Sequence, residues 1–339
     1  MAGHAFGAPR GADVLKRLRE EAHWQDPLPR GHGRGVAIGQ RHVGVGSTAV
    51  VCRLSSDGRV EVLTGAPEQG TGTYTVIQRL AAHALSIPFD HVRVRHVDTA
   101  EAEPDGGIGG SRATNVYGNA THTGASAMKD KLQELASEVM GWPTGDVQLE
   151  NGVFRDSAGH QAHFLEVTER IARGAPVETT GAFNSQHDGN VSTENFCGYA
   201  VEVEVDAATG QSTIRQVVFV ADVGAIINPI GHEGQVQGGF VYGMGSAVME
   251  DVQLQDGQVT TLTLGDYKLP AAADVPPLRV VLLPAQSGPG PLGAKAAGEL
   301  TNTTVAPAVA NAIAAAVGAR VTELPITAER VLAAVSRAQ

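Results

Sequence analysis

The hydrophobic pattern divides the first half of the chain into alternating strands and helices. Period-two alternation predicts strands around VAIG, STAVVCRL, RVEVLTG and HVRVRHVD. The 3.6-residue spacing of apolar positions in TYTVIQRLAAHALSI predicts a helix before the last of these strands. Charged residues 12–23 predict a short helix, and a long helix is expected from about residue 115 to residue 140. VQLENGVFRD then predicts a hairpin with Asn-Gly at its turn.

The second half repeats this style of alternation. YAVEVEVDAATGQSTIRQVVFVADVG predicts two strands joined through Ala-Thr-Gly, and residues 233–249 predict a second long helix. Further strands are expected at 258–264 and 278–284. A final helix is indicated by apolar residues at one helical spacing, namely Val305, Val309, Ile313 and Val317.

This order of elements predicts an α+β fold. We expect two mixed α/β lobes with glycine-rich strand-to-helix loops, separated between about residues 174 and 196. The predicted ranges are 1–30 for an N-terminal helix and connector, 31–180 for the first lobe and 181–339 for the second.

Composition and charge narrow the class of protein. A chain of 339 residues that is 42% hydrophobic can bury a sizeable core. The formal charge of −11 argues against nucleic acid or an anionic membrane as a partner. No apolar run approaches the roughly eighteen residues of a membrane span, and the N-terminus lacks an apolar secretion region. The two distant cysteines, Cys52 and Cys197, form no iron–sulfur or zinc pattern and fit a reducing, cytoplasmic location.

Glycine-rich loops carry the candidate chemistry. They span residues 65–75, 106–118, 234–245 and 288–299, each at a predicted strand-to-helix junction. Backbone N–H groups at such junctions can bind anions, although ordinary turns use the same residues. None of the loops matches a P-loop or a dinucleotide fingerprint. Four such loops in one chain suggest a large, phosphate-bearing ligand held by several of them.

The last of these loops ends in a lone carboxylate. GPGPLGAKAAGE places Glu299 on a tight loop ahead of the helix that contains Val305. Thr301, Thr303 or Thr304 could each supply the N-cap oxygen of that helix. Glu299 is either a helix-capping glutamate or a carboxylate aimed at a ligand, and its position alone leaves both interpretations open.

Several stretches resemble the C-terminal half of the molybdenum-binding subunit of the xanthine dehydrogenase/aldehyde oxidase family, the molybdenum hydroxylases. They are GTGTYTVIQRLAAHALSIP, EVEVDAATG with ADVGAIINP, GHEGQVQGGFVYGMGSAVMED, DYKLP with DVPPLRV, and LGAKAAGE with PAVANAIAAAVGARVTELPITAERVL. The resemblance extends over roughly residues 25–335. It implies a second molybdenum-cofactor-binding domain whose loops hold a molybdenum–pyranopterin, in its cytosine dinucleotide form.

The resemblance also implies roles for individual residues. Glu299 matches the active-site base, and no protein side chain is expected to ligate the metal directly. The residues that match cofactor-contacting positions are Gln69, Gly70, Thr71, Gly110, Ser111, Ala113, Thr114, Gln235 and Gly298. Thr71 stands where many members of the family have glutamine, so a shorter hydroxyl donor occupies that position.

In the family, a preceding half supplies another loop around the metal and much of the substrate pocket. The resemblance therefore implies a split catalytic subunit, as in nicotinate-dehydrogenase-type enzymes, whose larger half is another polypeptide. It further implies an iron–sulfur subunit with [2Fe–2S] clusters and an FAD subunit that accept electrons.

The expected activity is oxidation of an aldehyde, or hydroxylation of an electron-poor carbon such as that of an N-heterocycle, with water as the oxygen source. Gln40 and Arg41 fall where relatives place substrate-facing groups, and Arg41 could pair with a substrate carboxylate or be a solvated loop cation. The alternatives are a non-catalytic structural subunit of such a complex and a generic phosphate- or nucleotide-binding protein.

Overall fold

The computed structural model describes residues 5–6, 10–102, 106–143, 145–185, 191–192, 194–283 and 288–338. The α-helices in these ranges are α1 Gly11–Glu21, α2 Thr73–Leu85, α3 Ala113–Met140, α4 Phe164–Ile171, α5 Pro229–Val248, α6 Leu264–Tyr267, α7 Val305–Val317 and α8 Ala328–Ala338. Short 3-10 turns lie at Phe89–His91, Ala272–Asp274 and Pro291–Gly293. Within the described ranges, none of these helices combines the length and apolar character needed to cross a bilayer.

The strands, in chain order, are β1 Ala5–Phe6, β2 His32–His42, β3 Gly46–Leu54, β4 Val60–Thr64, β5 Val92–His96, β6 Gln148–Glu150, β7 Val153–Arg155, β8 Gln161–His163, β9 Glu178–Ser185, β10 Val191–Ser192, β11 Glu194–Val205, β12 Ser212–Asp222, β13 Leu254–Gln255, β14 Gln258–Val259 and β15 Leu278–Leu283. Most of them join two four-stranded mixed sheets. The mixture of helices and sheets confirms the predicted α+β class.

The first sheet has the strand order β5-β4-β3-β9 and is covered by α2 and α3. Strands β4 and β5 run parallel and are joined through α2, while β3 is antiparallel to both of its neighbours. Its core includes Val62 on the sheet, Ile77 on α2, and Met128 and Leu132 on α3. The predicted hairpin is present as β6 and β7, to which β8 adds a third strand.

The second sheet has the strand order β15-β12-β11-β2 and is covered on both faces. Phe219 on β12 packs with Phe240 of α5 and Val309 of α7, whereas Val218 and Val220 on the other face join the core beneath α1. Because successive side chains of a strand point to opposite faces, β12 is buried continuously from Val217 to Asp222.

Strand β2 does not share a sheet with the other strands of the range predicted for the first lobe. It pairs with β11 along its whole length, and α1 packs on the same sheet. The second sheet therefore combines elements from both sides of the boundary expected between residues 174 and 196. A split by sequence position alone could not reveal this pairing, since it depends on contacts between distant segments.

Helix α7 lies directly against the backbone of β2. A Cβ atom added at Gly35 would stand 2.2 Å from the carbonyl oxygen of Ala308, and one at Gly33 would stand 2.2 Å from that of Ala312. The first sheet contains a similar contact, because a Cβ at Gly181 on β9 would stand 2.0 Å from the carbonyl oxygen of Ala120 on α3. Glycine is thus required where a helix crosses a sheet at backbone contact.

Two local predictions were wrong. Residues 258–264 form a strand only at Gln258–Val259, since Thr263 instead caps α6 by accepting a hydrogen bond from the N–H of Asp266 at 3.1 Å. At the start of α7, Thr304 is the N-cap residue but its side chain makes no capping hydrogen bond. The Thr303 hydroxyl donates to the carbonyl of Leu300 at 3.0 Å, so it is turned toward the preceding loop.

We expect Gly35→Ala to lower the free energy of unfolding by about 1–3 kcal/mol, because the new methyl group must displace α7 from β2. Gly238 on α5 is a matched control, since a Cβ added there meets no atom within 4 Å. Gly238→Ala should leave stability unchanged or raise it by up to about 1 kcal/mol through helix propensity. Urea denaturation measures both changes, and an unperturbed Gly35→Ala protein would contradict the contact.

Candidate functional site

Loops from both sheets meet at one cleft of about 280 Å³. It is lined by the end of the loop before α2 and the first turns of α2, by the loop before α3 and the start of α3, by the first turns of α5 with their cap, and by the loop that ends at Glu299. The lining residues are Gln69, Thr71, Thr73, Val76, Ile77, Ile108, Gly109, Gly110, Ser111, Ala113, Thr114, Asn228, Gly231, His232, Gln235, Lys295, Ala296, Ala297, Gly298 and Glu299. The four glycine-rich loops therefore face a common space.

Most of the residues singled out from the sequence lie on this cleft. Those that line it are Gln69, Thr71, Gly110, Ser111, Ala113, Thr114, Gln235, Gly298 and Glu299. Gly70 is exposed beside the cleft and does not line it. The cofactor and catalytic roles of these residues remain predictions.

The two residues predicted to contact substrate lie on opposite faces of β2. Ile38 is paired with Gly198, where an added Cβ would meet Leu18 of α1, so even-numbered residues of β2 face α1. Gln40 is on that face and is turned away from the Glu299 loop. Arg41 is on the face toward α7 and reaches Glu299, which the sequence did not indicate.

The Glu299 carboxylate is held through one of its oxygens. Arg41 Nη2 donates to Oε2 at 2.7 Å, and the Ser111 hydroxyl donates to the same oxygen at 2.9 Å. Ser111 Oγ also accepts the backbone N–H of Glu299 at 2.9 Å. Ser111 adopts a left-handed conformation with φ of 57°, which is uncommon for serine and brings its side chain to the carboxylate. The Glu299 side chain remains 50% exposed.

Opposing influences act on the pKa of Glu299. Partial burial raises it, but the hydrogen bonds from Ser111 and Arg41, together with the charges of Arg41 and His42, outweigh burial. The net effect lowers the pKa below the ordinary value of a glutamate. The carboxylate is therefore ionised at neutral pH.

A buried ion pair fixes the loop that carries Glu299. Lys295 Nζ donates to Asp222 Oδ2 at 2.7 Å, with 1% of the lysine side chain and none of the aspartate side chain exposed. Asp222 Oδ1 accepts the backbone N–H of Gly224 at 3.2 Å. The backbone N–H of Lys295 in turn donates to the carbonyl of Val223 at 2.9 Å. The loop is thereby attached to the end of β12.

Asn195 adds a second attachment. It is fully buried on β11, directly opposite Arg41 in the β-ladder, and its amide donates to the carbonyl of Ala296. The segment from Lys295 to Glu299 is thus held from β12, from β11 and from the Ser111 turn. Asp222, Asn195 and Lys295 were missed from the sequence because their partners are distant along the chain.

Helix α5 presents Gln235 and His232 to the cleft. Asn228 caps this helix by accepting the backbone N–H of Gly231 at 3.3 Å, and His232 Nδ1 donates to the carbonyl of Asn228 at 3.0 Å. Burial lowers the pKa of His232, so its ring is neutral at neutral pH. A Cβ added at Gly298 would stand 3.3 Å from Ser111 Oγ and 3.9 Å from Gln235 Oε1, so glycine keeps this narrow space open.

One of the four loops differs from its expected role. At the N-terminus of α2, the carboxylate of Glu68 accepts the backbone N–H groups of Gly72 at 3.0 Å and Tyr74 at 3.2 Å. An anion would have to compete with this carboxylate for the same donors. The loop therefore offers the cleft its side chains, Gln69 and Thr71, and not this helix terminus.

Two further properties bear on a metal. Across the described ranges, no group of three or more histidine, cysteine, aspartate or glutamate side chains is placed to hold a metal ion. Both cysteines are buried, and burial raises the pKa of the Cys197 thiol to about 11. They are therefore protonated core residues, as predicted.

The sequence model of the molybdopterin cofactor-binding domain matches residues 10–276, well over half of the chain. The chain belongs to this family of molybdopterin cofactor-binding domains, and the resemblance to molybdenum-binding subunits of the xanthine dehydrogenase/aldehyde oxidase family is confirmed.

Curated relatives match nearly all of the chain. It is 31% identical over 339 residues to the probable hypoxanthine oxidase XdhD of Escherichia coli (strain K12), covering 96% of this chain and 35% of the relative. It is 32% identical over 326 residues to the 6-hydroxypseudooxynicotine dehydrogenase complex subunit gamma of Paenarthrobacter nicotinovorans, covering 93% of this chain and 40% of the relative. For the aldehyde oxidoreductase molybdenum-binding subunit PaoC of Escherichia coli (strain K12), the identity is 30% over 307 residues. That match covers 88% of this chain and 40% of the relative. The chain spans about two fifths or less of the length of these relatives.

Solved structures share the fold. Reconstituted CO dehydrogenase from Oligotropha carboxidovorans superposes with a TM-score of 0.84 at 23% identity, over 99% of this chain and 46% of that one. Aldehyde oxidoreductase from Desulfovibrio gigas superposes with a TM-score of 0.78 at 24% identity, over 98% of this chain and 36% of that one. These likenesses confirm the predicted fold of the molybdopterin-binding domain.

Replacing Lys295 with methionine should lower the free energy of unfolding by about 3–5 kcal/mol, since the buried Asp222 carboxylate loses its cation. The double variant Lys295→Met/Asp222→Asn should recover part of this loss, because asparagine removes the charge and can still accept the Gly224 N–H. Chemical denaturation of the single and double variants measures the coupling. Strictly additive losses would contradict a strong interaction between the two side chains.

Proposed function

We propose that this chain forms part of the cofactor site of a molybdenum-dependent oxidoreductase, in which Glu299 is the catalytic base. The observation that carries the proposal is the convergence of the four loops on one cleft, with the Glu299 carboxylate at its edge. A helix-capping role for Glu299 receives no support, because its carboxylate bonds to Arg41 and Ser111.

The residues of the cleft fit a molybdenum–pyranopterin. Gln69 and Gln235 offer amides, Ser111 and Thr114 offer hydroxyls, and the open glycines allow close approach of the backbone. A Cβ added at Gly109 or Gly110 would meet no atom within 4 Å, which leaves room for a large heterocycle. When bound, this group supplies the redox chemistry and activates water as the oxygen source.

Glu299 has the properties of a general base. Its lowered pKa keeps it ionised at neutral pH, so it can accept a proton without first losing one. In the described part of the chain, the side-chain hydrogen bonds to this carboxylate go to Oε2. Oε1 is therefore the oxygen we assign to proton transfer. The loop that carries Glu299 is held so that this oxygen remains at the cleft, through Lys295, Asp222 and Asn195.

The reaction we propose is oxidation of an aldehyde or hydroxylation of an electron-poor carbon of an N-heterocycle. The support is the range of substrates in the names of its relatives, which include a hypoxanthine oxidase and an aldehyde oxidoreductase. We further propose that the pyranopterin is the cytosine dinucleotide form, with its nucleotide end near the loop that contains Gly110 and Thr114.

The partners we propose are a larger half of the molybdenum subunit on a separate polypeptide, an [2Fe–2S] subunit and an FAD subunit. Relatives are named as subunits of complexes, and this chain matches only 35–40% of their length. Apolar side chains also stand exposed beyond α5: those of Val252, Leu254, Val259, Leu262, Leu264 and Leu269. This exposed segment, residues 252–269, is the surface we assign to the larger half.

We expect Glu299→Gln to lower turnover by about 10²–10⁴-fold in the assembled, cofactor-loaded complex, since the amide keeps the shape but cannot accept the proton. Melting temperature and molybdenum content should match those of the unmodified complex. Steady-state kinetics and metal analysis measure these quantities. Activity close to normal in a metal-replete variant would support the alternative, a non-catalytic structural subunit.

Two variants test the exposed segment. Leu262 and Leu264 are 80% and 69% exposed, so Leu262→Asp and Leu264→Asp should leave the fold of this chain stable. Each should weaken binding to the co-expressed larger half by about tenfold or more, as loss of a buried interface contact does. The chain alone should retain little molybdopterin. Leu332→Asp on α8 is the control. Calorimetry measures the affinity of each variant for the larger half, and equal affinities for all three variants would contradict this assignment.

A further inference from the structure

Arg41 reaches Glu299 from the edge strand of the second sheet. Its side chain is 23% exposed and Nη2 lies 2.7 Å from Glu299 Oε2. The residue opposite Arg41 on β11 is Asn195, which holds the loop backbone at Ala296. Two neighbouring positions of the sheet therefore contact the same loop, one through its backbone and one through its carboxylate.

The Arg41 contact distinguishes the two carboxylate oxygens. Arg41 and Ser111 both donate to Oε2, and in the part of the chain that the structure describes neither donates to Oε1. A carboxylate with one oxygen fixed by two donors has little freedom to rotate. The second oxygen then points in a defined direction, which proton transfer requires.

Arg41 is also the principal cation near this carboxylate. His42, the next residue on β2, lies against the guanidinium of Arg41, with its Nδ1 2.6 Å from Nη1, and adds a smaller favourable charge to the carboxylate. The ring of His232 on α5 is neutral because burial lowers its pKa. Lys295 is paired with Asp222 below the loop. Glu299 is the only carboxylate among the described residues that line the cleft.

We propose that Arg41 is a positioning residue for Glu299: it fixes Oε2 together with Ser111 and leaves Oε1 to exchange the proton. This inference rests on the proposed role of Glu299 as base. From the sequence, Arg41 was expected either to pair with a substrate carboxylate or to be a solvated loop cation. Arg41 acts through Glu299 and does not itself exchange a proton with the substrate.

The arrangement has a defined consequence for pH dependence. The Arg41 charge lowers the pKa of Glu299, so Glu299 stays in the ionised form that can accept a proton to a lower pH than an isolated glutamate. Removal of the charge raises that pKa. The acidic limb of the rate profile then moves to higher pH, while the alkaline side is little affected.

The test compares Arg41→Met with Arg41→Lys in the assembled complex. Arg41→Met should move the acidic limb of kcat/KM upward by about one pH unit or more, which is about a tenfold loss of rate at a pH below the limb. Most of the rate should return above the limb, because Ser111 still holds Oε2. Arg41→Lys retains the charge, so its acidic limb should lie between that of the unmodified complex and that of Arg41→Met. Arg53→Met removes a surface ion pair with Glu178 and should leave the limb unchanged.

A second readout does not depend on turnover. In the full chain labelled with [5-¹³C]glutamate, NMR follows the titration of the Glu299 carboxyl, whose signal is identified by its loss in Glu299→Gln. Its midpoint should rise in Arg41→Met. An unchanged midpoint, or a higher KM with an unmoved acidic limb, would overturn the positioning role, the latter in favour of substrate binding by Arg41. If the midpoint rises but Glu299→Gln remains active, the positioning stands and the proposed base is wrong.

Discussion

The site depends on the buried ion pair between Lys295 and Asp222. Asp222 is the last residue of β12, a strand enclosed between α1 on one face and α5 with α7 on the other. Two charges removed from water are stable only when their geometry and remaining hydrogen bonds are satisfied. Asp222 meets this requirement with Lys295 on one oxygen and the N–H of Gly224 on the other. A glycine- and proline-rich loop with few side chains to bury thereby acquires a fixed position.

The rest of the loop follows from that attachment. The N–H of Lys295 donates to the carbonyl of Val223, and Gly224 pairs with Ala294 in an isolated bridge. Four residues further on, Glu299 contacts Ser111, which lies just before α3, a helix that covers the first sheet. The carboxylate thus joins a loop anchored in one sheet to a helix that covers the other. The cleft exists because these two layers meet there.

Much of this could be predicted from the sequence. Helical and strand periods identified α2, α3, α5 and α7, and the order of the glycine-rich motifs indicated which loops share a site. The membership of β2 in the second sheet could not be predicted, since it depends on pairing with a strand some 160 positions later. For the same reason the contact between Arg41 and Glu299 was missed. The strand expected at 258–264 was wrong because its alternating apolar residues cover no core and stand exposed.

Strand β2 connects the packing of the fold to the chemistry of the site. Its face toward α7 carries Gly33, Gly35 and Gly39, where added side chains would collide with α7 or with Thr304 just before it. Arg41 continues this face beyond the end of the helix and carries the first long side chain on it. Its long, charged side chain can therefore reach the Glu299 carboxylate. The glycines set how closely the helix approaches the strand, and that distance in turn determines where the guanidinium can reach the carboxylate. A change in how α7 packs on β2 therefore alters the contact between Arg41 and the Glu299 carboxylate, although no glycine of the strand touches that carboxylate.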